Sequence, residues 1–491
     1  MSGPSISPPP RDATPARGGR AAPGWIAVAG LALVIGMGLL VQRGAQRALD
    51  GSWDFTMIYA GARQVVLGGD PYDFESTFDA YAAAGGEVAQ EIGDPGRLRD
   101  PAWFHSLYPP TAYTLLAPVG TVGWENAKAV WLVVNLLAVA GVSVWLVRQR
   151  PRDPSPPGAG AFAALAVGIW WGSAALHTAL AFGQMSVLVL ALMLPAIGWR
   201  TPPGAARLCH WHAALAGLLL AVAGWLKPQL VGPITVVLLA TPRRAVVGWA
   251  AGWGVLILVG SVAWIASIES AWLAHWRENL RAFTASGLAE PSGLNPYTYQ
   301  LIHLEPWLHR WWPDGIGPGA ALRVAGVLVP AAVWLGATAV LAVHGRAGNR
   351  ASVTEGPDAR CFAAVALAAV LTMLMAYHRT YDAVLLVLPS VWAWRALSAS
   401  RRDAAAWAVL VGVALFTVPG PVALEVWSRG EGFGAWLRET WLWRVVLLPH
   451  HSVALVVMAA CLAVRVARGV PVTTDSGAVP VGEAAGSGET R

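Results

Sequence analysis

Long apolar runs alternate with short polar segments along most of this chain. The first run extends from Trp25 to Val41, and eleven more follow it. They lie at residues 127–147, 160–181, 184–198, 212–226, 228–240, 245–266, 320–343, 361–377, 381–397, 404–419 and 444–465. Because a transmembrane helix needs about 20 apolar residues, the pattern predicts an all-α, polytopic membrane protein with about 11–13 transmembrane helices. Several runs are shorter than a full span, so some neighbouring pairs are candidates for broken helices.

Three polar segments are much longer than the others, at residues 42–108, 267–319 and 420–443. If the N-terminus is cytoplasmic and each run crosses once, every inner loop carries at least two arginines, as the positive-inside rule expects. The long segments then lie on the outer face, together with the tight turns at 182–184, 227–229 and 377–382. This scheme requires residues 109–123 either to enter the membrane without crossing it or to pack as a half-helix.

The composition supports a membrane domain and excludes several other classes. The chain is 56% hydrophobic and 13% charged, whereas soluble domains carry about 25% charged residues. The net charge of +6 comes from basic residues in twos and threes between apolar runs, so nucleic-acid binding is not expected. The three cysteines have no metal-like spacing. Residues 1–23 and 467–491 are predicted to be disordered cytoplasmic tails that flank a membrane domain of residues 24–466.

Asp54 follows the first apolar run and precedes a segment with helical apolar spacing. That segment, Phe55 to Leu67, is followed by Gly68 and Gly69 as a stop signal. The pattern predicts an amphipathic helix lying on the outer interface, with Asp54 at its N-terminus. An aspartate there has two interpretations, a catalytic carboxylate or a helix N-cap, and from spacing alone the cap is favoured.

Lys227 stands between two apolar runs and is followed by Pro228. Its ammonium group has two equally supported interpretations. It either extends to the membrane interface, or it neutralises a lipid-linked phosphate as that group leaves.

The late turn at 377–382 combines three groups that are useful in catalysis. His378 and Asp382 are separated by about one helical turn, and Arg379 lies beside them. A base, an orienting carboxylate and a phosphate-binding cation are therefore expected here, against the alternative of a solvated helix end. Gln184 and Asn295 are candidates to bind sugar hydroxyls, or are simply turn residues.

Motifs for nucleotide binding are missing from the sequence. No Asp-x-Asp, Walker-type loop or Gly-x-Gly-x-x-Gly follows a predicted strand. The inner loops are also too short for a nucleotide-binding domain. A transferase of this design therefore requires a membrane-borne donor.

The ordered motifs resemble glycosyltransferase family 87, whose members are polyprenol-phosphate-mannose-dependent mannosyltransferases with the GT-C membrane fold. The similarity covers about residues 25–390. The motifs that carry it are Asp54, Tyr59, Gly68-Gly69-Asp70-Pro71-Tyr72, Tyr108-Pro109-Pro110, Phe182-Gly183-Gln184, Lys227-Pro228, Tyr377-His378 and Leu385-Leu386-Val387-Leu388-Pro389.

The resemblance implies a role for each matching residue. Asp54 is expected to be the catalytic base, with His378 as a second catalytic residue. Lys227 and Arg379 are expected to bind the donor phosphate. The substrate-binding candidates are Tyr59, Tyr72, Tyr108, Gln184, Asn295 and Asp382.

The implied function is inverting transfer of a hexose, mannose above all, from a polyprenyl-phosphate sugar to a glycan or glycolipid acceptor. The reaction is expected on the outer face of a bacterial cytoplasmic membrane. No cofactor is predicted, and a divalent metal is left open. One alternative is a lipid or polysaccharide transporter, since a broken helix at Lys227 also suits that class. A third hypothesis, an acyltransferase built around His177, has no second supporting motif.

Overall fold

The structure is a computed structural model that describes residues 23–86, 106–149, 159–198, 206–287, 289–292, 295, 298–312, 318–347, 357–375, 377–417, 420–430 and 432–468. Residues 1–22 and 469–491, where the disordered tails are predicted, lie outside this part of the chain. Within it, the secondary structure consists of helices, and only an isolated bridge joins Leu301 to Arg379.

Twenty-one α-helices follow one another along the described residues. The first six are α1 (Pro23–Leu39), α2 (Gln46–Asp50), α3 (Trp53–Val66), α4 (Phe74–Ala83), α5 (Pro110–Gly120) and α6 (Trp124–Arg148). The next eight are α7 (Ala159–Trp171), α8 (Ala174–Ala181), α9 (Ser186–Gly198), α10 (Ala206–Leu226), α11 (Pro228–Leu239), α12 (Arg244–Ile268), α13 (Trp272–Ala285) and α14 (Leu304–His309). The last seven are α15 (Gly319–Ala347), α16 (Pro357–Met375), α17 (Val387–Ala399), α18 (Ala404–Ala414), α19 (Gly420–Ser428), α20 (Phe433–Arg438) and α21 (His450–Arg468).

Four short helices of other types complete the described secondary structure. Two are π-helices, Leu40–Ala45 and Trp443–Leu447, and two are 3-10 helices, Thr298–Gln300 and Thr380–Leu386. The last of these begins directly after Arg379 and leads into α17.

Six helical segments are long and apolar enough to cross a membrane. They are Pro23–Asp50, Trp124–Arg148, Arg244–Ile268, Gly319–Val343, Thr380–Ala399 and His450–Arg468. A pair bent by 48°, Gly160–Trp171 with Ala174–Ala181, forms a seventh if it is one span. Five shorter apolar helices accompany them, and each predicted run coincides with a helix of one of these three kinds. The prediction of an all-α, polytopic membrane protein is therefore confirmed.

The first long polar segment, residues 42–108, differs from the surface helix that the sequence predicts. Nine of the fourteen residues of α3 are buried, because the helix packs against α4 and α5 within the protein. A methyl group added to Gly61 would lie 2.4 Å from the Tyr113 ring, which shows how closely α5 approaches. Helix α5 has 11 residues and is therefore only about 16 Å long. That length agrees with the half-helix expected at 109–123.

Candidate active site

Four breaks between helices bring polar side chains to one buried place. Asp54 comes from the first turn of α3, and Gln184 from the turn between α8 and α9. Lys227 occupies the break between α10 and α11, while residues 377–382 connect α16 to α17. The cluster therefore depends on interruptions in the apolar helices, where ionisable side chains are rare and usually functional.

The backbone of the α8–α9 turn positions Asp54. The amide N–H groups of both Asp54 and Phe55 donate to the Phe182 carbonyl oxygen, at N···O distances of 3.0 and 3.3 Å. Helix α3 begins at Trp53 and its N-cap is Ser52, in the left-handed region with φ of 63°. The N-cap interpretation of Asp54 is therefore wrong, because the aspartate lies inside the first turn and its carboxylate points elsewhere.

The Asp54 carboxylate accepts a hydrogen bond from the Gln184 side-chain amide. Burial is the main influence on this carboxyl and raises its pKa, while the Gln184 hydrogen bond and the charges of Arg379 and Lys227 act in the opposite direction. A carboxylate whose pKa is raised toward the working pH is better suited to accept a proton. Asp54 therefore has the environment of a general base.

Lys227 forms the centre of the cluster and is itself 4% exposed. Its Nζ donates to Gln184 Oε1 at 3.1 Å, to Ser186 Oγ at 2.8 Å and to Asp382 Oδ1 at 2.5 Å. Ser186 Oγ also donates to Asp382 Oδ1, at 2.6 Å. An ammonium group has three N–H donors, so all three have acceptors within the protein. The position expected of a phosphate-binding lysine is thus occupied by a buried ion pair.

His378 and Asp382 form the pair that their spacing predicts. His378 Nδ1 lies 2.8 Å from Asp382 Oδ2, and the imidazole is completely buried. His378 Nε2 and Arg379 Nε have no hydrogen-bond partner among the described residues. The Arg379 guanidinium lies over the Tyr377 ring, 5.7 Å from its centroid. Unpaired buried polar atoms are costly, and these two are available to form hydrogen bonds with a ligand.

The other predicted substrate-binding residues are distributed differently. Tyr108 lies at the cluster, where its hydroxyl hydrogen-bonds Gln184 and burial raises its pKa well above the usual range. The Tyr72 hydroxyl donates to the Tyr108 carbonyl oxygen at 3.0 Å. Tyr59 donates to the Val122 carbonyl oxygen at 2.7 Å, and the Asn295 amide donates to the Glu290 carbonyl oxygen at 3.0 Å. Neither of these two hydrogen bonds is to a residue of the cluster.

His177 has a structural contact. Its Nε2 lies 2.6 Å from the Trp171 carbonyl oxygen, across the bend between α7 and α8. This is the arrangement expected for a core histidine at a helix break. It gives no support to the acyltransferase hypothesis.

Sequence reasoning missed two residues that the structure brings to the site. Ser186 lies two residues after Gln184, and that proximity is the only signal for it in the sequence. His303 comes from the second long polar segment, residues 267–319, where the Ile302 amide N–H donates to the His378 carbonyl oxygen at 3.1 Å. Burial, with a smaller effect from His378, lowers the pKa of His303 to about 3. Among the described residues, no group of three or more His, Cys, Asp or Glu side chains is arranged to hold a metal ion.

The fold and this site define a polytopic membrane enzyme in which two carboxylates, Asp54 and Asp382, lie beside cationic groups. A family model for glycosyltransferase family 87 matches residues 106–377, which is more than half of the chain. The protein belongs to this family and is a membrane glycosyltransferase. The matched range contains Tyr108, Gln184 and Lys227, whereas Asp54 and residues 378–382 lie outside it. No curated protein and no solved structure gives a significant match.

Proposed function

We propose that this glycosyltransferase transfers a hexose from a polyprenyl-phosphate sugar to a hydroxyl of a glycan or glycolipid acceptor. The acceptor oxygen attacks the anomeric carbon while its proton passes to the Asp54 carboxylate. The bond between that carbon and the phosphate oxygen breaks, and the phosphate leaves with the electron pair. A single displacement inverts the anomeric configuration and needs one carboxylate, whereas retaining enzymes need two at about 5 Å separation.

The observation that carries this proposal is the buried network around Asp54. Its carboxylate is held by Gln184, and its burial raises its pKa. General-base catalysis contributes about a hundredfold or more to such a reaction. The neighbouring carboxylate, Asp382, is engaged by Lys227, Ser186 and His378. Asp54 is therefore the better proton acceptor of the two.

Arg379 is the cation best placed for the donor phosphate. Its Nε is unpaired within the described residues, and a planar guanidinium binds phosphate oxygens through two parallel hydrogen bonds. The predicted participation of Lys227 has less support, because its three donors already have acceptors. Because the proton of His378 is on Nδ1, its buried Nε2 is available to accept a hydrogen bond from a hydroxyl of the bound substrate.

The identity of the donor is argued from the membrane architecture and the resemblance. A lipid-linked sugar can reach a site between apolar helices, and the sequence lacks the motifs of a nucleotide-binding domain. Mannose follows from the similarity to polyprenol-phosphate-mannose-dependent enzymes. The outer face follows from the arginines of the predicted inner loops.

The test is a transfer assay with purified protein in detergent. Protein, polyprenyl-phosphate mannose and a membrane-lipid acceptor extract are combined, and the product linkage is determined by nuclear magnetic resonance. We expect mannose on the acceptor with an inverted anomeric configuration. Glucose and galactose donors serve as the comparison that tests the sugar. Mannose that stays on polyprenyl phosphate while it moves across a vesicle membrane would instead support the transporter alternative.

A further inference from the structure

The chain contains only two lysines, Lys128 and Lys227, and both are buried. Lys128 Nζ donates to the Leu49 carbonyl oxygen at 3.0 Å and pairs with the exposed Glu125. Lys227 Nζ instead donates to three side chains, Gln184, Ser186 and Asp382, and each of them belongs to the candidate active site. The two residues thus provide a natural comparison between a structural lysine and one built into the site.

We infer that Lys227 is a positioning residue, which orients Gln184 and Asp382 and does not bind the donor phosphate. This inference rests on the proposed function. The sequence suggests that Lys227 binds the phosphate, whereas here its role is to orient other side chains of the protein. Through these two side chains, Lys227 controls the groups that touch substrate, Asp54 and His378.

The first consequence concerns the orientation of the Gln184 amide. Its carbonyl oxygen accepts from Lys227 Nζ, so its NH₂ group faces the Asp54 carboxylate. If the ammonium were absent, the amide carbonyl oxygen would lose the charged donor that fixes this orientation. A flipped amide would direct its carbonyl oxygen at the carboxylate, where two acceptors repel each other. Asp54 would then lose the hydrogen bond that holds it.

The second consequence concerns Asp382 and His378. Lys227 and Ser186 both bind Asp382 Oδ1, which leaves Oδ2 for His378 Nδ1. A carboxylate fixed in this way keeps a proton on Nδ1, and so determines which imidazole nitrogen faces the substrate. Loss of Lys227 would free the carboxylate to rotate.

The inference also predicts a change in the pKa of Asp54, which can be measured separately from its orientation. The groups that influence the pKa of Asp54 are Gln184, Arg379, Lys227 and Asp382. The Asp54 carboxylate in turn acts on the phenols of Tyr108 and Tyr377. After burial, which raises the pKa of Asp54, the Lys227 cation lowers it and the Asp382 carboxylate raises it. Removal of the cation therefore raises this pKa further. Because a base acts only when deprotonated, the acidic limb of the pH–rate profile would move to higher pH.

The experiment compares Lys227→Met with Lys128→Met, a matched removal of the other buried lysine. Transfer, its pH profile and the binding of radiolabelled polyprenyl-phosphate mannose are measured for wild type and both variants. For Lys227→Met we expect kcat to fall about a hundredfold, donor binding to stay within about twofold of wild type, and the acidic limb to move upward. Lys128→Met is expected to change none of these. Donor binding weakened about tenfold or more, with an unmoved acidic limb, would overturn the inference.

Lys227→Met alone leaves the Asp382 charge buried without its partner, which destabilises the fold. A second pair of variants therefore tests the inference without that unpaired charge. Asp382→Asn is compared with the double variant Lys227→Met, Asp382→Asn. The double variant removes both charges of the ion pair together and so leaves neither one buried alone. We expect the acidic limb of the double variant to lie at higher pH than that of Asp382→Asn, with equal donor binding. An unshifted limb, or donor binding lost only in the double variant, would contradict the inference. If wild type transfers no sugar at all, it is the proposed function that fails.

Discussion

Two residues with left-handed backbones, one before α3 and one in the α8–α9 turn, determine where the Asp54 carboxylate lies. Ser52 has a left-handed backbone, with φ of 63°, and its hydroxyl donates to the Ala48 carbonyl oxygen at 2.5 Å. Gly183, opposite it in the α8–α9 turn, also has a left-handed backbone, with φ of 66°. A methyl group on Gly183 would lie 2.6 Å from Phe55 Cβ. The carboxylate is therefore held by backbone geometry as well as by Gln184.

This close approach predicts a defect in Gly183→Ala that Gly68→Ala does not share. Gly68 also has a left-handed backbone, with φ of 77°, but open space around it. Both substitutions carry a backbone cost of about 1–2 kcal/mol. Only Gly183→Ala displaces the first turn of α3, and we expect sugar transfer to fall about a hundredfold. Equal transfer rates in the two folded variants would show that the contact with Phe55 is unimportant.

Residue-scale predictions from the sequence succeed where partners are near in the chain. The pairing of His378 with Asp382 follows from their spacing, and the structure has it. The contacts of Lys227 depend on how α9, α10 and α17 pack, and no local pattern contains that information. The same reason explains why Ser186 was missed and why the capping interpretation of Asp54 was wrong.

At the scale of whole helices, α13 belongs to the second long polar segment and packs against the first. None of its residues is buried, yet its inner side contacts the first segment at several points. His275 Nδ1 lies 2.5 Å from Asp70 Oδ2, and the Asn279 amide donates to the Tyr72 carbonyl oxygen at 2.9 Å. At its other end, the Phe283 ring contacts Tyr377, beside the site. Helix α13 therefore contacts both the first long polar segment and Tyr377, next to His378 of the cluster.

The His275–Asp70 pair predicts that the docking of α13 depends on pH. The hydrogen bond that His275 donates to the Asp70 carboxylate raises the pKa of His275 above its usual value of about 6.5. A group whose pKa is raised on docking stabilises the docked state below its ordinary pKa, and this contribution disappears as the pH rises through the raised value. Hydrogen-exchange protection of α13 is therefore expected to be higher at about pH 6 than at about pH 9.

His275→Gln provides the control for that measurement. The variant keeps a hydrogen-bonding side chain but does not titrate, so its protection factors are expected to be the same at both pH values. Protection in wild type that is equally high at both pH values would show that the pair contributes nothing to docking.

The helices themselves were largely predictable, but their surroundings were less so. The predicted apolar runs all coincide with helices, because continuous hydrophobicity is a strong local signal. The burial of α3 was not predicted. Small residues such as Ala60, Gly61 and Ala62 are compatible both with a helix at the membrane interface and with a helix packed closely inside the protein. The small residues allow α5 to approach, which is a tertiary effect.

For the molecule as a whole, the proposal requires the site to face the outside of the membrane. Arg281, exposed on α13, is then extracellular, and Arg401, exposed before α18, is cytoplasmic. In a variant without Cys209, Cys361 and Cys461, we expect Arg281→Cys to react with a membrane-impermeant thiol reagent in intact cells. Arg401→Cys is expected to react only after permeabilisation. The opposite labelling pattern would place the reaction on the cytoplasmic face.

The most direct test of the account is transfer of radiolabelled mannose from polyprenyl-phosphate mannose by wild type, Asp54→Asn and Asp50→Asn. Asp50 is an exposed carboxylate at the end of α2, so its substitution controls for the loss of a negative charge nearby. We expect wild type and Asp50→Asn to transfer label at equal rates. Asp54→Asn is expected to lose activity by about a hundredfold or more while still binding the donor. Transfer by folded Asp54→Asn at the wild-type rate would contradict the account and remove Asp54 from the mechanism.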